Sequence, residues 1–182
     1  MHYTEELLRL HLGSCDVPLE KWGTGKAKTL NHFLVELIEA ESTLNGVVRR
    51  IDTVAIDVIS GGRRLREACQ VCEWVAGECQ IFQRTYDFGS VVEKLKVGER
   101  LLHGVERAIK EELGLVMETD YMISPVCVQV FSGPSDTYPG IFTINTKRCV
   151  RLWLPKRAYR PNGYFENSPG RTIYFDWIPI QS

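Results

Sequence analysis

The chain has 182 residues, of which 44% are hydrophobic and 25% charged, and its net charge is −1. That composition excludes a disordered chain and suits one domain with a short appendage. Near-neutral charge gives no overall pull toward nucleic acid or an anionic membrane. No apolar run reaches the roughly 18 residues that a membrane-spanning helix needs.

The N-terminal stretch MHYTEELLRLHLGSC carries Glu5 and Glu6 and no long apolar core, so it does not read as a signal peptide. A cytoplasmic, reducing setting is expected, with the six cysteines as free thiols. Residues 4–12 predict a short helix, with Leu7, Leu8 and Leu10 available to pack. Pro18, Gly23 and Gly25 then predict a loop. Within it, Gly23-Thr24-Gly25-Lys26 lacks the full spacing of a phosphate loop and no strand precedes it, so it reads as a helix lead-in. Leu30, Phe33, Leu34, Leu37, Ile38 and Leu44 fall at helical spacing. Thr29 is the expected N-cap and Asn45-Gly46 the expected stop. Glu36, Glu39 and Glu41 belong to the polar face of this helix.

From Val47 the pattern changes to strands. VAIDVIS, a Gly61-Gly62 turn, LREACQVCEWV, a turn at Ala76-Gly77 and CQIFQRTY predict a pair of hairpins. Cys69, Cys72 and Cys79 suggest zinc, but no second pair of ligands stands nearby. Strand alternation also puts residues three apart on opposite faces, so these cysteines read as small hydrophobes. A helix is predicted over 101–113 with Leu101, Leu102, Val105, Ile109 and Leu113 as its stripe, ended by Gly114. YMISPVCVQVF, IFTINTKRCVRLWL and RTIYFDWIPI predict further strands. The intervening loops, SGPSDTYPG and PKRAYRPNGYFENSPG, are rich in turn formers and aromatics, which suits a binding rim. The order of elements predicts an α+β fold with a mixed or antiparallel sheet.

Arg49-Arg50, Arg63-Arg64-Arg66 and the run from Lys147 to Arg160 are locally basic. They read first as charged strand edges. Interleaving of the last run with Trp153 and Tyr159 would suit a single-stranded nucleic acid, but the neutral net charge argues against that partner.

Glu111 and Glu112 stand together in the last turn of the third helix, where carboxylates oppose the helix dipole. Binding a hard cation such as Mg2+ would explain them. Pairing of Arg107 with Glu111, four residues on, is the plainer explanation.

This stretch, Glu93 to Leu115, resembles the Nudix box, G-x5-E-x7-R-E-U-x-E-E-x-G-U, where U is bulky and apolar. Glu99, Arg107, Ile109, Glu111, Glu112, Gly114 and Leu115 match it in register. Two places differ: Glu93 replaces the opening glycine, and Ala108 replaces the glutamate after the arginine. The chain resembles more closely an uncharacterised Nudix-like group seen in cyanobacteria and plants. That likeness lies in KW, GKAKTL, EKLKVGE, RAIKEELG, TYPG, YRPNGYFE and TIYFDW.

The resemblance implies a Nudix-like mixed β-sheet core with the Nudix helix over 47–182, plus two N-terminal helices as an extension over 1–46. It implies a metal-dependent hydrolase, using Mg2+ or Mn2+, of a nucleoside diphosphate linked to another moiety. Glu99, Arg107, Glu111 and Glu112 are the implied catalytic residues, and Glu111, Glu112 and Glu93 the implied metal ligands. Glu93 is then the candidate replacement for the carboxylate missing at Ala108. Tyr138, Tyr159 and Tyr164 of the rim loops are the expected stacking partners of a base. The expected partner is a small nucleotide-type molecule, with no membrane; a homodimer is compatible. The alternative is an inactive Nudix-fold module that senses a nucleotide or docks a protein.

Overall fold

A computed structural model describes residues 3–73, 79–82, 89–118, 120–168 and 170–180. Its α-helices are α1 (Glu5–Ser14), α2 (Leu30–Ile38) and α3 (Leu101–Leu113). The strands are β1 (Thr43–Asn45), β2 (Val48–Ser60), β3 (Arg63–Glu73), β4 (Cys79–Phe82), β5 (Val91–Leu95), β6 (Met122–Pro134), β7 (Phe142–Trp153), β8 (Tyr164–Ser168) and β9 (Arg171–Pro179). They form a sheet in the order β6-β7-β2-β3-β9-β8, with β1 and β5 also on β2 and β4 on β3. The fold class is α+β, as the order of elements predicts. No helix among the described residues is long and apolar enough to cross a membrane.

The chain divides into two compact units. One comprises Met1–Thr53, Lys94–Glu99 and Val128–Lys147; the other comprises Val54–Glu93, Arg100–Cys127 and Arg148–Ser182.

In the first unit, α1 and α2 close over an aromatic core. Thr4 caps α1 by accepting from the Leu7 amide. The helix buries Leu8 and Leu12, whereas Leu7 and Leu10 face solvent. The i, i+4 spacing of Leu8 and Leu12 selects the inward face, which the expected Leu7-Leu8-Leu10 set does not share. Thr29 caps α2 as expected, in a reciprocal capping box with His32. Trp22, Phe33 and Tyr138 meet at centroid distances of 4.7–5.5 Å. The Trp22 indole also donates to the Pro139 carbonyl at 2.9 Å.

Two expectations fail here. α2 stops at Ile38, and Asn45 ends β1 with Gly46-Val47 turning the β1–β2 hairpin, so Asn45-Gly46 does not end the helix. Gly46 takes a φ of +59° at the first loop position, as a type II′ turn requires. Glu36 is buried at 4% exposure and not solvated on a polar face. Its carboxylate accepts from Arg49, from Lys28 at 3.0 Å and from the Tyr138 hydroxyl at 3.1 Å, and it pairs with Lys94 at 2.8 Å. Burial pushes the Glu36 carboxyl up, but the hydrogen bond from Lys94 and the charges of Arg49 and Lys94 outweigh it, leaving it at about 2.

In the second unit, Val54 to Ser60 of β2 are all buried. This is the pattern of a central strand covered on both faces. Cys69 and Cys72 lie in β3 and are free thiols. The side chain of Cys79 and the expected turn at Ala76-Gly77 fall outside the described residues, as does 83–86 of the CQIFQRTY segment. The long loop expected over 155–170 contains a short 3-10 helix, Lys156–Ala158, and the strand β8. Gly163 admits β8 onto β9: its φ is +77°, and a Cβ there would lie 1.8 Å from the Phe175 carbonyl oxygen.

Glu36→Ala leaves a buried Arg49 without its counter-charge, so it is expected to cost about 3–5 kcal/mol, the scale of a broken buried ion pair. Because the folded value of Glu36 lies below the unfolded one, its stabilisation is complete above about pH 4.5 and is lost as pH falls toward about 2. Denaturant titrations of both proteins between pH 7 and pH 3 measure this. The difference between them should shrink with acid.

Candidate functional site

The box helix α3 belongs to the second unit. It buries Gly104, Val105, Ala108, Ile109 and Leu113, while the expected stripe member Leu102 is 49% exposed. Gly114 stops the helix in the left-handed conformation at φ +64°, with its amide bonded back to Lys110.

This rotation of the helix separates its two glutamates. Glu112 stands one turn beyond fully buried Ala108 and is itself half-buried. Glu111 points to solvent and pairs with Arg107 at 3.2 Å. Arg107 also pairs with Glu93 of β5 at 3.6 Å. The i, i+4 pairing considered as the plainer explanation is therefore present, but it accounts for Glu111 only.

Glu112 meets an acid that sequence reading did not single out. Glu166 of β8 comes close enough for its charge to act on it. Burial and the charges of Glu166 and Glu93 push the Glu112 carboxyl up to about 8, against a smaller opposing pull from Arg171. Arg171 pairs with Glu166 at 3.5 Å. Glu166 lies opposite buried Ile173 in the β8–β9 register, on the inward side with Tyr164. The alternation Tyr164-Phe165-Glu166-Asn167 carries this signal, but flanking proline and glycine made the segment read as a loop.

The set suits a hard divalent cation in donor chemistry, since all its atoms are carboxylate oxygens. The Oε2 atom of Glu166 is buried without a hydrogen-bond partner, which leaves an acceptor available. Among the described residues, however, no three His, Cys, Asp or Glu side chains already stand together as a metal-binding group.

Glu99 belongs to the first unit. It closes the turn before α3, its carboxylate accepting from the Lys96 amide at 2.8 Å. Tyr138 is fully buried and Tyr164 is 3% exposed, so neither offers a ring face to a base. Tyr138 is held by the aromatic core and Glu36, and burial raises its hydroxyl well above the usual range. The Tyr164 hydroxyl donates to the Ala158 carbonyl and is likewise pushed up by burial to about 12. Tyr159 stays half-buried against Trp177, at 5.1 Å between centroids.

Several residues of the basic clusters are paired with acids. Arg64 and Arg151 share Asp57, Arg66 pairs with Asp176, and Arg157 pairs with Glu118 and Asp120.

No family model and no curated protein matches the chain. Among solved structures, the chain is similar to the E. coli dihydroneopterin triphosphate pyrophosphohydrolase, at 18% identity and a TM-score of 0.44 over 70% of this chain and 79% of that one. It is also similar to a MutT NUDIX hydrolase from Burkholderia pseudomallei, at 15% identity and a TM-score of 0.42 over 73% and 88%. A NUDIX hydrolase from Nitrosomonas europaea shows 14% identity and a TM-score of 0.34 over 71% and 72%. These likenesses are remote and decide nothing about the chemistry of this chain.

Because the folded value of Glu112 lies above its unfolded value, its contribution is favourable below about pH 4.5 and is lost as pH rises toward about 8. Glu112→Gln should remove that dependence. Melting temperatures in metal-free buffer should therefore converge with wild type near pH 5 and favour the variant near pH 8.

Proposed function

We propose that the chain is a Nudix-type hydrolase that uses Mg2+ or Mn2+ to cleave a nucleoside diphosphate linked to another moiety. On this reading 47–182 is the Nudix-like domain, 1–46 its extension and the cytoplasm its setting. One observation carries the reading: half-buried Glu112 lies in box register on α3, one turn beyond buried Ala108, and burial with the charges of Glu166 and Glu93 pushes its carboxyl up.

Glu112 and Glu166 would hold the cation, with Glu93 as the third acid. Glu166 and Glu93 are then the two candidates for the role that Ala108 leaves open. A bound cation supplies neutralisation of the diphosphate charge and activation of water. Arg107 positions Glu93 and Glu111 through its ion pairs with them. Glu99 shapes the turn that feeds the helix. Tyr159 is the one of the three rim tyrosines with exposure left for a substrate.

A second reading has its own support. The lack of a ready three-acid group among the described residues favours an inactive nucleotide-sensing or protein-docking module. Turnover separates the two. With Mg2+ or Mn2+, the wild type should hydrolyse some member of a panel of dinucleotides, nucleotide sugars and nucleoside triphosphates. Glu112→Gln and Glu166→Gln should each lower that rate by about a hundredfold or more, the scale of a lost acid–base group. Saturable nucleotide binding with no product anywhere on the panel would sink the hydrolase reading in favour of the module.

The position of Ala108 makes a further test. Its side chain is fully buried, so Ala108→Glu should cost about 3–5 kcal/mol in metal-free buffer, as an uncompensated buried charge does. Recovery of part of that loss on adding Mn2+, measured by denaturation, is expected if the acids of this helix face share a cation.

A further inference from the structure

β6 lies at one end of the strand order, and among the described residues it pairs with β7 only. Its outer edge therefore carries backbone N–H and C=O groups that no described strand takes up. The first unit holds its Val128–Pro134. Every residue from Val128 to Ser132 is exposed, with Val128 at 61%, Val130 at 65% and Phe131 at 53%. Successive residues of a strand point to opposite faces, so this segment is open on both faces as well as along its edge.

Edge strands are ordinarily blunted by charge, proline or shortness. β6 has 13 residues, and no charged residue stands between Asp120 and Asp136. Its prolines, Pro125 and Pro134, flank the stretch 126–133, so every residue of that stretch keeps its N–H. β8, at the other end of the order, has only 5 residues and carries Glu166.

The occupant of the β6 edge is a second copy of the chain, on three grounds. An uncharged strand has nothing with which to select a charged partner, and laid antiparallel on itself it meets no like charge. A two-fold axis normal to the sheet keeps Val128 and Val130 of both copies on one face, with Gln129 and Phe131 of both on the other. The area sets the strength: an edge of this length with its exposed apolar side chains buries on the order of 500 Å2 per copy, below the roughly 800 Å2 of a standard interface. Such an area suits a reversible dimer and not an obligate one.

We propose that β6 pairs antiparallel with β6 of a second copy, joining the two sheets across a two-fold axis. The dimer is independent of the acids on α3 and forms whether or not the chain is a hydrolase.

Sedimentation of the full chain across the micromolar range tests it, in reducing buffer because Cys127 is an exposed thiol. The wild type should pass from monomer to dimer with rising concentration and stop there, since two-fold pairing consumes the edge. Amide exchange at Val128–Ser132 should slow as the dimer forms. Val130→Lys and, independently, Val128→Lys should each weaken dimerisation about tenfold or more, because each dimer loses two buried valines and gains two like charges. Both positions are exposed, so neither variant disturbs the core. Leu10→Lys puts the same charge on the exposed side of α1 and should leave the dimer unchanged. A monomer at every concentration overturns the proposal, and so does growth beyond the dimer. A dimer that ignores both valine variants, that Leu10→Lys weakens equally, or that forms without slowed exchange in β6 overturns it too.

Discussion

One buried carboxylate organises the first unit. Glu36 sits on α2, yet its partners come from the α2 lead-in, the β1–β2 hairpin, the end of β5 and the β6–β7 loop. Burying a carboxylate is costly unless it is paired and hydrogen-bonded. Here the cost is offset only when four separate stretches of chain arrive together. The cluster therefore acts as a register check on the unit. Tyr138 contributes its ring to the aromatic core and its hydroxyl to Glu36, joining apolar packing to the ion cluster. The same arrangement holds Arg49, whose Nε–H is buried without a hydrogen-bond partner.

The second unit handles acids in the opposite way. Around Glu36 stand Lys28, Arg49 and Lys94, and the group stays ionised. Around Glu112 the acids crowd together, and it is held toward its neutral form. The difference lies in neighbours, since both glutamates are largely removed from water. Arg107 pairs with Glu93 and Arg171 with Glu166, yet the crowding still raises the Glu112 carboxyl, and on the proposed reading a bound cation would relieve it. The rotation of α3 matters as much as its sequence. Ala108 and Glu112 lie one turn apart, and packing that buries the first draws the second inward.

Much of the fold was legible because it rests on periodicity and end signals. The Thr29 cap, the Gly114 stop and the buried run in β2 follow from local rules. Errors fell where a local signal has two uses. Asn-Gly serves a helix end and a hairpin turn equally well, and only the pairing of β1 with β2 distinguishes them. Glu36 looked solvated because helical spacing gives the direction of a side chain but not what lies opposite. Tyr138 and Tyr164 looked like rim aromatics because their loops are polar, while both rings turn inward. Glu166 was invisible for the same reason: it belongs to a strand hidden among turn formers.

The sequence by itself determined the α+β order, the helix carrying paired acids and the spacing of that helix relative to Glu93 and Glu99. These are properties of neighbours along the chain, and the backbone's periodicities expose them. Only the tertiary structure decided which acids face one another. Glu111 went to Arg107 and Glu112 to Glu166, a partner 54 positions away by the numbering. Side-chain charge and burial depend on what other segments bring within a few ångströms, and no local pattern encodes that. The choice between solvated acid and strained acid was thus made by packing, at a position where the sequence shows the same residue type twice in succession.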